Sequence, residues 1–567
     1  MAIYYPPQCW VDFLLETHLP SLTRNLARSV DEALRGAYAT AFGIDILNLE
    51  GHLRNQRDPT FLRDLAGLKA KAGGCGYRNT ERRAVFLNAL NNALPQIAGT
   101  ESAPTLWPEL VALLGEDSFK NGNEETRWQA FFASDSAWAT EMQSEITRVK
   151  GLRNAALAQA GLSASPPEHA VFDASPMGFG ACIKKLHRVL FDDIRAHEAT
   201  ALHRRASLLR PNDQRRMAFQ QSHTCRFSNA LFAGPPSIHT RFTNKEFHVA
   251  VQSVVGAPLS ILRQSTGQPI KSPTTGSTVS TVDHFGNNLK KLKAAPGGGT
   301  LQNHNSLVNL LSYWLRRTSI PHRGGKHGKP QTCKDLFVRA TTRHRLGQED
   351  QNRLHEIIPD LMIDGRFLSP TIEGPGCLLQ GTKTLVDVKT KSCNEDYAAE
   401  RTGTAGAVTN KRQEKVNHDY HKKAEGIDTS QGTAAGTTGP FKSELNGYGQ
   451  NGRVLAPVVG AFAEMSKDTY IITDLIASVL AEEHCSYFFE APSAAKGLFT
   501  QRFYRSLGLS SHLGWARLLL DRYQDLVETP HLQSQRTSGD GQRPSLDDED
   551  AFEHEMFHNP DTPYHAH

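Results

Sequence analysis

Two short apolar runs constrain this chain more than any other stretch, because each carries a carboxylate at its edge. The first, Ile357–Ile363, contains Pro359-Asp360. The second, Thr384–Val388, leads into Asp387-Val388-Lys389. Runs of this length, rich in aliphatic and β-branched residues and bounded by Gly and Pro turns, read as strands. Period-two alternation sends Asp387 and Lys389 to one face and Val388 to the other. If the two strands are neighbours, Asp360 meets Asp387 at one strand edge.

Two carboxylates converging in that way supply hard oxygen ligands for Mg²⁺ or Mn²⁺. A cation held there lowers the pKa of a bound water and offsets charge at a scissile phosphate. Lys389, beside that phosphate, orients the water or stabilises developing charge. The plainer alternative stays open at this point: Asp360 begins a turn, and Asp387 with Lys389 forms a solvated sheet edge.

At 567 residues the chain is long enough for two to four folded units. Periodicity predicts helices over Thr80–Leu94, Glu125–Val149 and much of 178–218, so residues 1–162 read as a helical domain and 163–263 as a helical and extended connector. Residues 264–300, rich in Gly, Ser, Thr and Lys, read as a flexible segment. A helix is predicted over Ser306–Arg317 with Leu307, Leu310, Leu311, Trp314 and Leu315 on one face. Further helices are predicted over Thr409–Ala424 and Asp468–Glu483, with Val454–Phe462 as a buried strand between them. Residues 301–490 thus form a mixed α+β or α/β domain whose small sheet is flanked by helices. Residues 491–532 read as C-terminal helices and 533–567 as a disordered acidic and His-rich tail. The expected fold class is therefore a largely helical N-terminal half followed by a small mixed sheet.

Lys and Arg total 63 against 59 Asp and Glu, a net charge of +4, so any nucleic-acid surface must be a local patch. One exists: Arg316, Arg317, Arg323, Lys326, Lys329, Lys334, Arg339, Arg343 and Arg345 are opposed only by Asp335. Gly324, Gly325 and Gly328 suggest a flexible arm that tracks phosphates, although a solvated loop gives the same composition. Lys411 and Lys415, four apart on the predicted helix after Lys389, share a face suited to a DNA or RNA backbone; an ordinary amphipathic helix accounts for them equally well. The eight cysteines are scattered without a Cys-x-x-Cys, which argues against a disulfide framework and a zinc ribbon. The longest apolar run, Val454–Ala463, is about half of a bilayer span, and the first residues carry no basic and apolar leader. The expectation is an intracellular protein with no membrane association, the basic arm pointing to the nucleus.

Pro359-Asp360 with Asp387-Val-Lys389 resembles the PD-(D/E)xK restriction-like nuclease superfamily. More specifically, the chain resembles the region downstream of the polymerase in non-LTR retrotransposon-type open reading frames of algae and protists. Gly73-Gly-Cys-Gly-Tyr77 is similar to their glycine-rich signature. Asn229–Pro235, Phe242–Phe247 and Val254–Pro258 are similar to their connector, and Asp283-His-Phe-Gly286 with His304-Asn305 to the place of their Cys/His knuckle. The resemblance implies a mobile-element-derived, Mg²⁺-dependent DNA endonuclease in which Asp360 and Asp387 bind metal and Lys389 assists. The knuckle thiols are absent, which leaves His284 and His304 without zinc partners and argues against zinc; His304 reads as a first-turn helix residue between the capping candidates Asn303 and Asn305. No Tyr-x-Asp-Asp occurs, so any reverse transcriptase would be supplied by another chain. The superfamily also takes an acid from an upstream helix; residues 306–317 hold none, leaving Glu356 as the candidate. An incomplete metal cluster on the same fold would instead be a nucleic-acid-binding relic, and a helical scaffold would hold these residues far apart.

Overall fold

The structure, a computed structural model, describes residues 20–45, 58, 60–68, 74–75, 77, 199–223, 231, 241–271, 277–292, 299–324, 348–350, 359–368, 375–399, 406–434, 436–450, 452–488 and 491–528. The chain divides into two compact units, residues 1–208 and 209–567. The helices expected over 80–94 and 125–149, and the tail 533–567, lie outside the described residues.

In the first unit, which holds α1 (Pro20–Phe42), α2 (Phe61–Gly67) is joined to a helical stretch at 199–208 by one cation. Arg205 donates to Asp58 Oδ2 at 2.8 Å and to Asp64 Oδ2 at 2.6 Å, so its guanidinium bridges the entry and the first turn of α2. Phe61, Leu62 and Leu65 of α2 are buried. Tyr38 stacks edge-on against both Phe42 and Tyr77, tying α1 to Tyr77. A Cβ at Gly74 would lie 2.2 Å from the Leu68 carbonyl oxygen, so glycine is what lets residue 74 approach the end of α2.

The second unit is a mixed α+β fold, with a sheet packed between helices. It opens with α3 (Gln214–His223) and α4 (Asn244–Val255). Helix α4 begins in a capping box, Thr243 with Glu246, and ends at the left-handed Gly256. Within the stretch read as flexible, the structure holds an antiparallel hairpin, β1 (Pro269–Lys271) with β2 (Thr278–Thr281). Asp283 then accepts the amides of Phe285, Asn287 and Asn288 and starts a one-turn helix, Asn287–Lys291. Buried Ile270, Val282 and Leu289 anchor this stretch, which explains why its polar composition does not leave it irregular.

Helix α5 (Gly299–Arg317) leads into β3 (His322–Gly324), which pairs antiparallel with β4 (Leu361–Asp364), and β4 pairs antiparallel with β5 (Lys383–Val386). Beyond Val386 the chain exchanges one partner for another. Asp387 N donates to Leu455 O, Lys389 N to Pro457 O and Lys391 N to Val459 O, each at 2.9 Å. Thus β6 (Lys389–Thr390) runs parallel to β7 (Val458–Val459). A parallel neighbour requires a crossover, which α6 (Ala407–Ser430) and the short helix Pro440–Asn446 supply. The outer edge of β7 is closed by side chains: Val458 N donates to Ser466 Oγ and Ala456 N to Asp468 Oδ2.

The two faces of the sheet bury different partners. Leu361, Ile363, Val386 and Val388 pack with Leu307, Leu311 and Leu315 of α5, with Ile472 and Leu475 of α7 (Lys467–Phe488), and with Phe503 and Leu507 of α8 (Pro492–Glu528). Met362, Leu385 and Val458 pack with Val416, Tyr420 and Ile427 of α6 and with Phe441 and Leu445. The strands are shorter than their apolar runs suggest, since β4 starts at Leu361. Among the described residues, no helix is long and apolar enough to cross a membrane.

Candidate active site

The antiparallel register sets Leu361 opposite Val386, so the next residues outward, Asp360 and Asp387, meet where β5 leaves β4. Alternation then sends Asp387 and Lys389 to the same face. The Lys389 ammonium donates to Asp387 Oδ1, and the Asp360 carboxylate also lies beside Asp387. Asp360 also closes the gap where the ladder breaks: its Oδ2 accepts the Val388 amide at 2.7 Å, replacing a backbone partner. The structure therefore brings Asp360, Asp387 and Lys389 into one cluster.

A fourth member comes from α5. His304 Nε2 lies 3.2 Å from Asp360 Oδ2, and its Nδ1 lies 3.2 Å from Asn305 Oδ1. The expectation of a first-turn residue between two caps is thus corrected. Helix α5 begins at Gly299, so His304 lies within it, and Asn303 is 2% exposed rather than capping a terminus. His304 is what an inspection for acidic residues alone misses on this helix. Its one signal in the sequence is its place three residues before Leu307, the first residue of the apolar face.

Asp387 is buried, and that burial pushes its carboxyl up to about 6; Lys389 opposes the shift and the charge of Asp360 adds to it. For His304, burial works against a charged imidazole, yet the hydrogen bond and charge of Asp360 outweigh it and raise its pKa. The cluster remains reachable from solvent: His304, Asp360 and Lys389 keep 20%, 16% and 31% of their side-chain surface.

The other predicted residues are distributed as follows. Arg316 is exposed and Arg317 half-buried at the end of α5, and Arg323 is exposed on β3. Lys411 and Lys415 are both exposed on α6, with the exposed Glu414 between them, and the charge of Lys411 helps hold the Asp396 carboxyl below its usual range after that of Lys391. Gly324, read as part of a flexible arm, is instead a strand residue opposite Leu361. Glu356, Lys326 and Lys329 lie outside the described residues. His284 is exposed with its Nδ1 3.4 Å from Thr266 Oγ1, so the two histidines at the knuckle position have different partners.

Among the described residues, no three His, Cys, Asp or Glu side chains converge as a ready-made metal cage. The donor set does suit a hard cation that keeps most of its waters, since Mg²⁺ is commonly held by one or two carboxylates. Two neighbouring acids, one driven toward protonation by its burial and by the other, form a place where a divalent cation would relieve an existing electrostatic cost. The chain matches no family model, and no curated protein matches it.

Proposed function

We propose that the second unit is a PD-(D/E)xK-type, divalent-cation-dependent endonuclease-like domain that hydrolyses phosphodiester bonds in DNA. The observation that carries this reading is the convergence of Asp360, Asp387 and Lys389 where β5 parts from β4. The order of elements supports it: a helix, three antiparallel strands, a crossover helix and a parallel strand, with the acids at the ends of the second and third strands.

On this reading Asp360 and Asp387 hold Mg²⁺ or Mn²⁺, which when bound supplies an activated water and charge neutralisation at the phosphate. Lys389 neutralises Asp387 while the site is empty of substrate and turns its ammonium to the phosphate oxygens when one arrives. Arg316 and Arg323, exposed at the end of α5 and on β3, belong to the basic arm, and they position the backbone. An origin in a mobile element, a polymerase supplied by another chain and a nuclear location are parts of the same proposal and rest on the sequence resemblance.

One observation favours a second reading, a nucleic-acid-binding relic on the same fold: among the described residues no third acid joins the pair. Nicking of supercoiled plasmid with Mg²⁺ or Mn²⁺, wild type beside Asp387→Ala, separates the two. Cleavage abolished by the substitution supports the nuclease. Absence of cleavage by the wild type, with salt-sensitive DNA binding retained, sinks it in favour of the relic.

A further inference from the structure

Two donors converge on a single oxygen of Asp360. The Val388 amide and His304 Nε2 both end on Oδ2, at 2.7 and 3.2 Å, so Oδ1 carries neither bond. A carboxylate gripped by one oxygen from two directions has little freedom to rotate, and its second oxygen is held in a fixed direction. The Val388 donor belongs to the sheet and cannot be adjusted. The His304 donor belongs to α5, a separate element, and its reach depends on how that helix is seated.

That seating is rigid. Leu307, Leu311 and Leu315 are buried against the sheet. One residue before His304, Asn303 presses against α8, where a Cβ on Gly514 would fall 2.2 Å from Asn303 Oδ1. Helix α5 is therefore clamped at the level of His304 by a close approach that only glycine allows. The imidazole is the one described side chain that α5 sends to the carboxylate pair.

We propose that His304 is a positioning residue of a divalent-cation site: with the Val388 amide it fixes Oδ2 of Asp360 and so presents the other oxygen, Oδ1, to a cation shared with the neighbouring Asp387. The proposal rests on reading Asp360 and Asp387 as a cation-binding pair. It assigns to the upstream helix an orienting role rather than a ligand. Hydrogen-bonding partners that orient a metal-binding side chain typically change metal affinity by about 10- to 100-fold when removed.

The test is Mn²⁺ binding to the full chain without nucleic acid, followed by calorimetry and by loss of the free-ion paramagnetic resonance signal. His304→Ala is expected to weaken binding about 10- to 100-fold. His304→Gln, which keeps an N–H donor of similar reach, is expected to recover most of that loss, and circular dichroism checks that both variants fold. A wild-type affinity, or a tighter one, in His304→Ala overturns the positioning role and leaves the carboxylate pair as a cation site. Failure of His304→Gln to recover binding, with the fold intact, also overturns it, because the hydrogen bond would not be what matters. A wild-type chain that takes up no Mn²⁺ overturns the underlying reading and this inference with it.

Discussion

Gly324 of β3 and Asp360 are in van der Waals contact through their backbones: a Cβ on Gly324 would lie 2.2 Å from the Asp360 carbonyl oxygen. Gly324 also has φ +97°, a region that side chains other than glycine rarely enter. The end of β3 is therefore a glycine for the sake of its neighbour, and the residue that would be displaced is a member of the site. Gly324→Ala is expected to cost about 2–3 kcal/mol of stability and to weaken Mn²⁺ binding by moving Asp360. Urea unfolding together with Mn²⁺ titration checks both effects; an unchanged midpoint and affinity would show that this contact is not constraining.

Part of the site is legible in the sequence and part is not. Asp387 and Lys389 were legible because strand alternation is a local rule. Their meeting with Asp360 was legible because two apolar runs of similar length tend to pair. His304 was not, since its contact with Asp360 spans 56 residues and depends on α5 starting at Gly299. A helix beginning at the last residue of a Gly-Gly-Gly run is disfavoured by intrinsic propensity, and buried contacts such as Leu307 and Asn303 override that preference. The hairpin at 269–281 was hidden for a related reason. Averaged over 264–300, composition is polar, but three buried apolar residues and the amide-accepting Asp283 suffice to fold it.

Away from the site, Glu464 is completely buried in the turn after β7, where it accepts from the Tyr397 hydroxyl and from the Phe462 amide at 2.9 Å. Burial pushes its carboxyl up to about 7. An acid whose pKa is higher folded than unfolded binds its proton more tightly in the fold, so stability is greatest below the unfolded value. It falls as pH rises from about 4.5 to about 7 and is level above that. The loss across this window is about 3 kcal/mol. Glu464→Gln, which cannot ionise, is expected to remove it, so the difference in unfolding free energy between variant and wild type should grow with pH across the window. A constant difference would refute the assignment.

Asp428 does for one short helix what the capping box does for α4. Its carboxylate accepts the Phe441 and Lys442 amides, both at 2.9 Å, from the last turns of α6. Gly439 permits the approach, because a Cβ there would fall 2.3 Å from the Asp428 carboxyl carbon. Asp428→Ala leaves the buried Phe441 amide and the half-buried Lys442 amide without it and is expected to cost about 2–3 kcal/mol. Asp428→Asn, which retains one acceptor oxygen, should lose about half as much. Equal losses in the two variants, measured by urea unfolding, would mean that packing rather than capping sets the cost.

At Asp387, holding a cation conflicts with holding the fold. Asp387 is buried, and desolvation together with the charge of Asp360 drives its carboxyl up to about 6 even with Lys389 attached. Above that pH the folded chain carries a carboxylate that would be ionised at less cost in the unfolded state, so the charge works against the fold. Asp387→Asn removes the charge at nearly constant volume and leaves an amide oxygen for Lys389. In the presence of a chelator at pH 7, the variant is expected to be more stable than wild type by about 2 kcal/mol. Adding Mn²⁺ should then raise the stability of the wild type, through ligand linkage, and leave the variant unchanged. A variant less stable than the metal-free wild type would mean that the Lys389–Asp387 ion pair outweighs the desolvation of the acid, and that this position serves the fold rather than a cation.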